Sequence, residues 1–140
     1  MRPLTGECPC GAFSFSAAHP AVWTVYCHCN ECRESSGAPY TLWVGFPADL
    51  VTVRGWIRWE AGRCVDVIRG FCAQCGVAAV YRDRRMLQPE TYLNGAFFHE
   101  PEALVPQGHA FWSERTGQAS IEDALVKWET YSRARVGMGF

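Results

Sequence analysis

Three cysteines within six residues, Cys27, Cys29 and Cys32, constrain this chain more than any other feature. In extended backbone a Cys-x-Cys step places both sulfurs on one side, because strand side chains alternate between faces. The Cys-x-x-Cys step that follows curls the chain so that a third sulfur can join them. Zinc relieves the repulsion between converging thiolates, and three protein ligands with one open position are typical of a reactive zinc. We therefore interpret this stretch as the active centre, with a closed site that takes a fourth ligand from elsewhere as the alternative.

Two further cysteine pairs are each followed directly by a glycine, which frees the backbone to turn. They are Cys8 with Cys10 and Cys72 with Cys75. Their four thiolates make a closed tetrahedral set, so we expect a structural zinc that joins the N-terminal segment to a central hairpin, and two zinc ions per chain in all. The eighth cysteine, Cys64, is expected to be a buried core residue in a strand, with a role as the missing fourth ligand as the alternative.

The composition of the chain limits which classes of protein and which partners are compatible with it. The chain has 140 residues, of which 49% are hydrophobic, enough for one domain with a real core. A net charge of -1 offers no basic surface for nucleic acid. No apolar run approaches the roughly 18 residues of a membrane span, and none follows the first seven residues as a signal peptide would require. We therefore expect a cytoplasmic protein whose clustered cysteines bind metal and do not form disulfides.

The rest of the sequence predicts a mainly β domain with two short helices. A helix is expected over 30–37, capped by Asn30 and closed by Gly37. Four apolar residues at helical spacing after Ser120 predict a C-terminal helix over about 120–134. Alternating, β-branched or aromatic runs predict strands over 12–16, 22–26, 40–46, 50–55, 63–71, 77–81, 91–93 and 108–112.

Three histidines are candidates for roles around the open site. His28 lies between two expected ligands and should point away from them in extended backbone, so we expect it to support the site and not to bind the metal. His109 and His99 are better placed to reach the open position, as hydrogen-bonding groups or a proton relay. A half-exposed polar histidine is the alternative for each of these two.

The order of the cysteine motifs resembles that of one known family. The motifs are CxCG at 8–11, CHCxxCR at 27–33, FCxxCG at 71–76 and a Pro-x-x-His-aromatic segment at 106–112. Over about residues 6–115 the chain resembles the glutathione-dependent formaldehyde-activating enzyme family, which also includes centromere protein V. The resemblance implies a mainly β fold of stacked antiparallel sheets with zinc knuckles, a β-tent, in a single zinc-binding domain over 1–140. It also implies the same division of the cysteines into a four-ligand and a three-ligand zinc site.

The activity that this resemblance implies is a zinc-dependent carbon–sulfur lyase chemistry. Its substrates would be a small thiol such as glutathione and a small aldehyde, as in the formation of S-(hydroxymethyl)glutathione. The three cysteines of the second zinc would form the catalytic centre, with His109 or a bound water protonating the nascent alkoxide. Arg33, Arg54 and Arg69 are candidates to bind a substrate carboxylate, because a guanidinium forks onto it. The alternative function is a non-catalytic zinc-binding module for thiol compounds or protein partners.

Overall fold

The computed structural model describes residues 2–18, 20–118 and 121–136. Over these ranges the backbone forms eleven strands and one α-helix, α1 (Asn30–Ser36), which confirms the predicted mainly β class. The strands are β1 (Leu4–Glu7), β2 (Phe13–Ala17), β3 (Trp23–Cys27), β4 (Thr41–Pro47), β5 (Val51–Gly55), β6 (Ile57–Ala61), β7 (Val67–Cys72), β8 (Ala78–Asp83), β9 (Glu90–Asn94), β10 (Gly108–Ala110) and β11 (Val126–Lys127).

The smaller sheet has three strands in the order β1-β2-β5, all antiparallel. Strand β1 was not expected from the sequence, because its four residues carry little β-branched character. Its Gly6 lies where a Cβ would collide with the Phe15 ring and the Phe97 carbonyl, so glycine permits the close pairing. The first cysteine pair lies in the loop between β1 and β2 of this sheet.

The larger sheet has eight strands in the order β11-β10-β3-β4-β9-β8-β7-β6. Pairing is antiparallel from β3 to β6, whereas β10 runs parallel to both β3 and β11. Strand β3 ends at Cys27 and strand β7 ends at Cys72, so this sheet delivers one cysteine to each of two separate clusters.

The core lies between the two sheets and confirms their stacked arrangement. Phe13 and Phe15 of the small sheet pack with Phe46 and Leu93 of the large sheet, and all four are buried. Phe15 meets Phe98 edge to face, with ring centroids 4.8 Å apart. Each such side chain contributes about 1.5–3 kcal/mol through burial, which makes this layer the main source of stability.

The short helix predicted over 30–37 is present as α1. Its N-cap is Cys29 and not Asn30, because the Cys29 Sγ accepts the Cys32 N–H at 3.3 Å. Gly37 ends the helix in the left-handed region with φ 73°, as expected. Within the described ranges no helix has the length and apolar character needed to cross a bilayer.

The C-terminal helix expected over about 120–134 is wrong for the described residues, which begin at 121 in this segment. The backbone there forms bends and one short strand, β11, which pairs with β10. The backbone N–H of Trp128 donates to the backbone carbonyl of His109 at 2.8 Å. The Trp128 ring covers Gly108, where a Cβ would collide with it. Pairing with the sheet and docking of this one ring therefore override the helical spacing of the sequence.

Candidate metal centres and active-site pocket

Four cysteine sulfurs converge where the loop after β1 meets the turn between β7 and β8. The Cys8 Sγ lies 3.2 Å from the Sγ atoms of both Cys10 and Cys75, and the Cys10 Sγ lies 3.5 Å from the Cys72 Sγ. A tetrahedron with zinc–sulfur distances of about 2.3 Å has edges of about 3.8 Å. The four thiols therefore fit a zinc ion with no other ligand, and zinc at this site stays a prediction.

The backbone around this cluster is folded as two glycine-closed turns. Gly11 and Gly76 lie in the left-handed region at φ 81° and 82°, and each donates its N–H to the carbonyl of the first cysteine of its pair. Burial opposes ionisation of the Cys72 thiol, but the N–H groups of Cys75 and Gln74 lower its pKa to about 6. The turn thus favours the thiolate, which is the form that binds a metal.

The second cluster joins the end of β3 to the start of α1. The Sγ atoms of Cys27, Cys29 and Cys32 lie within 4.8 Å of one another, and those of Cys27 and Cys32 are 3.3 Å apart. Among the described residues, no further cysteine, histidine or carboxylate ligand atom joins this group at that distance. The donor set suits a zinc ion with three protein ligands and one open position.

Arg69 on β7 is the cationic group beside the three-cysteine cluster. Its Nη2 lies 3.5 Å from the Cys32 Sγ, its Nε lies 3.4 Å from the Glu31 carboxylate, and its guanidinium stacks on Tyr81. Hydrogen bonds from the other two cysteines, together with the charge of Arg69, hold the pKa of the Cys32 thiol well below its usual value. Negative charge in this cluster is therefore stabilised from one side by a buried cation.

Of the three arginines predicted as carboxylate binders, Arg69 alone lines the cavity at this cluster. Arg54 is exposed on β5 in the other sheet. Arg33 donates to Asn30 on the helix surface. The sequence cannot rank these three residues, because their distances from the cluster depend on the pairing of distant strands.

A cavity of about 130 Å³ opens beside the three-cysteine cluster. An apolar cavity of about 150 Å³ holds one benzene ring, so this space suits a ligand group of similar or smaller size. Its wall includes six aromatic side chains, those of Trp23, Trp43, Tyr81, Tyr92, Phe111 and Tyr131. Four cationic side chains also line it, namely Arg69, Arg85, Arg133 and Arg135. The cavity therefore combines flat apolar surface with positive charge.

One side of the cavity is formed by residues 129–136, here called the C-terminal strap. Its anchor is Asp83 at the end of β8, whose side chain is 0% exposed. Arg135 Nε donates to Asp83 Oδ2 at 2.8 Å, and Arg85 donates to both carboxylate oxygens at 2.9–3.0 Å. Burial opposes the charge of Asp83, but these arginine hydrogen bonds lower its pKa to about 2. The sequence analysis missed this anchor, and no local pattern marks it.

Cys64 lines the same cavity but belongs to neither cluster. It lies in the turn of the β6–β7 hairpin, since β7 begins at Val67 and the expected strand over 63–71 starts four residues too early. The thiol is half-buried. The expectation of a core cysteine in a strand is therefore wrong, and its sulfur lies outside the group of three that could hold a metal.

A chain of three polar side chains lies behind β3. The His28 Nε2 lies 2.9 Å from the His109 Nδ1, and the His109 Nε2 lies 2.9 Å from an Asp123 carboxylate oxygen. Both rings are fully buried, and this burial lowers the pKa of His28 to about 4. His28 thus points away from the ligands on either side of it. Asp123 was missed because the sequence placed it in the first turn of a helix.

The expected direct approach of His109 to the open site is not observed. His109 pairs with Tyr26 across the strands and stacks on its ring at 5.1 Å, which puts its side chain on the face opposite Cys27. His99 is also absent from the cavity; it is exposed, with its Nδ1 3.0 Å from the Thr5 hydroxyl. The side chain of His109 therefore contacts the residue between two cluster cysteines, His28, and not the open position itself.

Comparison with known proteins gives two findings. A family model described as "Glutathione-dependent formaldehyde-activating enzyme" matches residues 3–114. The crystal structure of a Rhodobacter sphaeroides protein, a structural genomics target, is similar with a TM-score of 0.56 and 20% sequence identity, over 68% of this chain and 87% of that one. That likeness concerns the fold alone. A search of curated protein sequences found no match. The C-terminal strap lies beyond the residues that the family model matches.

Proposed function

Because the chain belongs to the glutathione-dependent formaldehyde-activating enzyme family, we propose that it joins a small thiol to a small aldehyde, as in the formation of S-(hydroxymethyl)glutathione. This is the chemistry of a carbon–sulfur lyase in the direction of bond formation. The observation that carries the proposal is the three-cysteine cluster, which opens onto a cavity where a fourth protein ligand could have closed it. A single domain, two zinc ions per chain and a cytoplasmic location belong to the same proposal.

Different residues of the pocket would bind the metal ion and surround the reacting atoms. Cys27, Cys29 and Cys32 would hold a zinc ion, which when bound keeps an incoming thiol in its thiolate form at neutral pH. The six aromatic side chains limit the access of water to the reacting atoms and so strengthen the electrostatic interactions among them. The sulfur–carbon bond forms as the carbonyl π electrons move to oxygen, and the resulting alkoxide takes a proton from solvent.

We assign His109 to positioning. It bonds to His28, the residue between two cluster cysteines, and the adjacent Ala110 carbonyl accepts the His28 N–H at 3.0 Å. Strand β10 therefore fixes the backbone of the cluster from behind. His109→Gln should lower the metal affinity of the three-cysteine cluster and leave the KM for aldehyde unchanged. An unchanged metal affinity in this variant would contradict a positioning role.

The function is tested by following adduct formation from glutathione and formaldehyde with NMR. The protein should accelerate this reaction over the uncatalysed rate, and Cys29→Ser should remove the acceleration while the circular dichroism of the folded domain persists. Equal rates with and without the protein, for glutathione and for other small thiols, would overturn the enzyme proposal. Thiol binding at the cluster without acceleration would instead favour the non-catalytic module.

A further inference from the structure

Two residues that line the cavity beside the three cysteines each carry a buried N–H donor with no hydrogen-bond acceptor within the described part of the chain. The donors are Arg69 Nη1 and Trp43 Nε1. Arg69 is 6% exposed and Trp43 is 4% exposed, so bulk water does not satisfy them. Buried donors are nearly always paired in folded proteins, because an unpaired one destabilises the fold. Two such groups in one cavity point to a ligand that carries an acceptor.

Both side chains pack around Cys32. Arg69 already uses its Nη2 toward the Cys32 Sγ at 3.5 Å and its Nε toward Glu31 at 3.4 Å, which leaves Nη1 for a ligand. The Trp43 indole packs in the same buried cluster as Cys32. An acceptor that reaches both donors must therefore sit close to the sulfur of a thiol bound at this cluster.

The position of these donors selects one oxygen of the proposed reaction. In a thiol–aldehyde adduct the oxygen sits on the carbon that is bonded to sulfur. The carboxylates of glutathione are several bonds further away, and a cavity of about 130 Å³ does not enclose a whole tripeptide. The oxygen that fits is that of the former aldehyde, which carries a full negative charge when the sulfur–carbon bond has formed.

We propose that Arg69 Nη1 and Trp43 Nε1 form an oxyanion-binding subsite for this oxygen, a refinement that rests on the proposed function. As the sulfur–carbon bond forms, the carbonyl π bond breaks and its electron pair moves onto oxygen. The two N–H groups donate to this alkoxide until solvent protonates it. Because the donors are buried and already in place, they favour the charged transition state over the neutral aldehyde.

The test compares two small thiols on the protein as purified, with its metal content measured. Mercaptoacetate carries a carboxylate near its sulfur that stands in for the alkoxide, and 2-mercaptoethanol is a neutral thiol of similar size. Calorimetry should show that the parent binds mercaptoacetate about tenfold more tightly, the gain expected from a charge-assisted hydrogen bond. Arg69→Gln should abolish this preference, and Trp43→Phe, which removes the indole N–H, should reduce it.

The matched control is Arg58→Gln, an exposed arginine on β6 outside the cavity, which should keep the preference of the parent. Equal affinity of the parent for both thiols, or an unchanged preference in both cavity variants, would overturn the subsite. Trp43→Phe decides the matter if Arg69→Gln does not fold. A parent that prefers mercaptoacetate but does not accelerate glutathione adduct formation would keep the subsite and remove the proposed activity.

Discussion

Replacing Asp83 with asparagine tests how the C-terminal strap is held against the cavity. Asparagine keeps the shape of the side chain but removes the charge that faces Arg85 and Arg135. Breaking a buried ion pair from one side costs about 3–5 kcal/mol. The lowering of the Asp83 pKa from 3.8 to about 2 corresponds to about 2 kcal/mol. We therefore expect Asp83→Asn to lower the free energy of unfolding at neutral pH by about 2–4 kcal/mol.

This loss should depend on pH in one direction. The pKa of Asp83 is lower in the folded chain than in the unfolded chain, so its charge stabilises the fold fully above about pH 5. That contribution is lost progressively as the pH falls through about 2, and it is gone only below this value, where the carboxyl is protonated in both states. The difference in unfolding free energy between the parent and Asp83→Asn should therefore shrink over this window. Metal release at low pH affects both proteins alike, and the difference isolates Asp83.

Urea unfolding followed by tryptophan fluorescence measures these differences. The control is Glu60→Gln, which breaks the ion pair between Glu60 and Arg58. These two side chains are 50% and 52% exposed, so the control should lower the free energy of unfolding by less than about 1 kcal/mol. The strap should also become sensitive to limited proteolysis in Asp83→Asn but not in the control. A loss equal to that of Glu60→Gln, or a difference that does not change with pH, would refute the role of Asp83 as anchor.

Four further outcomes follow from the cysteine sites and from the docking of β11. Metal analysis should find two zinc ions per chain, and a mild chelator should release one first because three protein ligands hold a metal less tightly than four. Cys8→Ser should leave the chain insoluble whereas Cys29→Ser should stay folded; equal solubility would contradict this division. Cys64→Ala should keep both zinc ions, since its sulfur lies outside both clusters, and loss of one equivalent would make it a ligand. Gly108→Ala should lower the free energy of unfolding by about 1–3 kcal/mol, because the added Cβ would meet the Trp128 ring and lie 2.7 Å from the Val126 carbonyl oxygen. An unchanged free energy of unfolding in chemical denaturation would contradict the packing of Trp128 over Gly108.

The convergence of the cysteines within each motif could be predicted, because it depends on their short-range spacing in the sequence. A Cys-x-Cys or Cys-x-x-Cys step fixes the approach of two sulfurs whatever the rest of the chain does. Strand β2 was predictable for the same reason, since alternation along five residues already defines its buried face. Spacing alone does not say which of these short motifs meet in the fold. The two pairs that are each followed by a glycine together supply the four thiolates of one site, which suggested that they meet.

The surroundings of the cluster could not be predicted, because they depend on residues distant in sequence. The spacing of apolar residues around Trp128 favours a helix. The structure shows instead that the Trp128 ring packs directly over Gly108, a contact that no local pattern predicts. The pairing of His28 with His109 crosses 81 positions, and nothing local to either residue marks it. Cys64 was misplaced because the β-branched run after it extends the strand prediction into a hairpin turn.

The position of the C-terminal strap in the sequence sets an order of events during synthesis. Every cysteine of the two clusters has been made once residue 75 is in place, whereas the strap begins at residue 129. At about 5–20 residues per second, about 54 residues separate these events by about 3–11 s. During that interval the nascent chain presents all its cluster thiols while one wall of the cavity is missing. A metal ion that binds in this interval would reach the cysteines through the open side, before the strap closes over them.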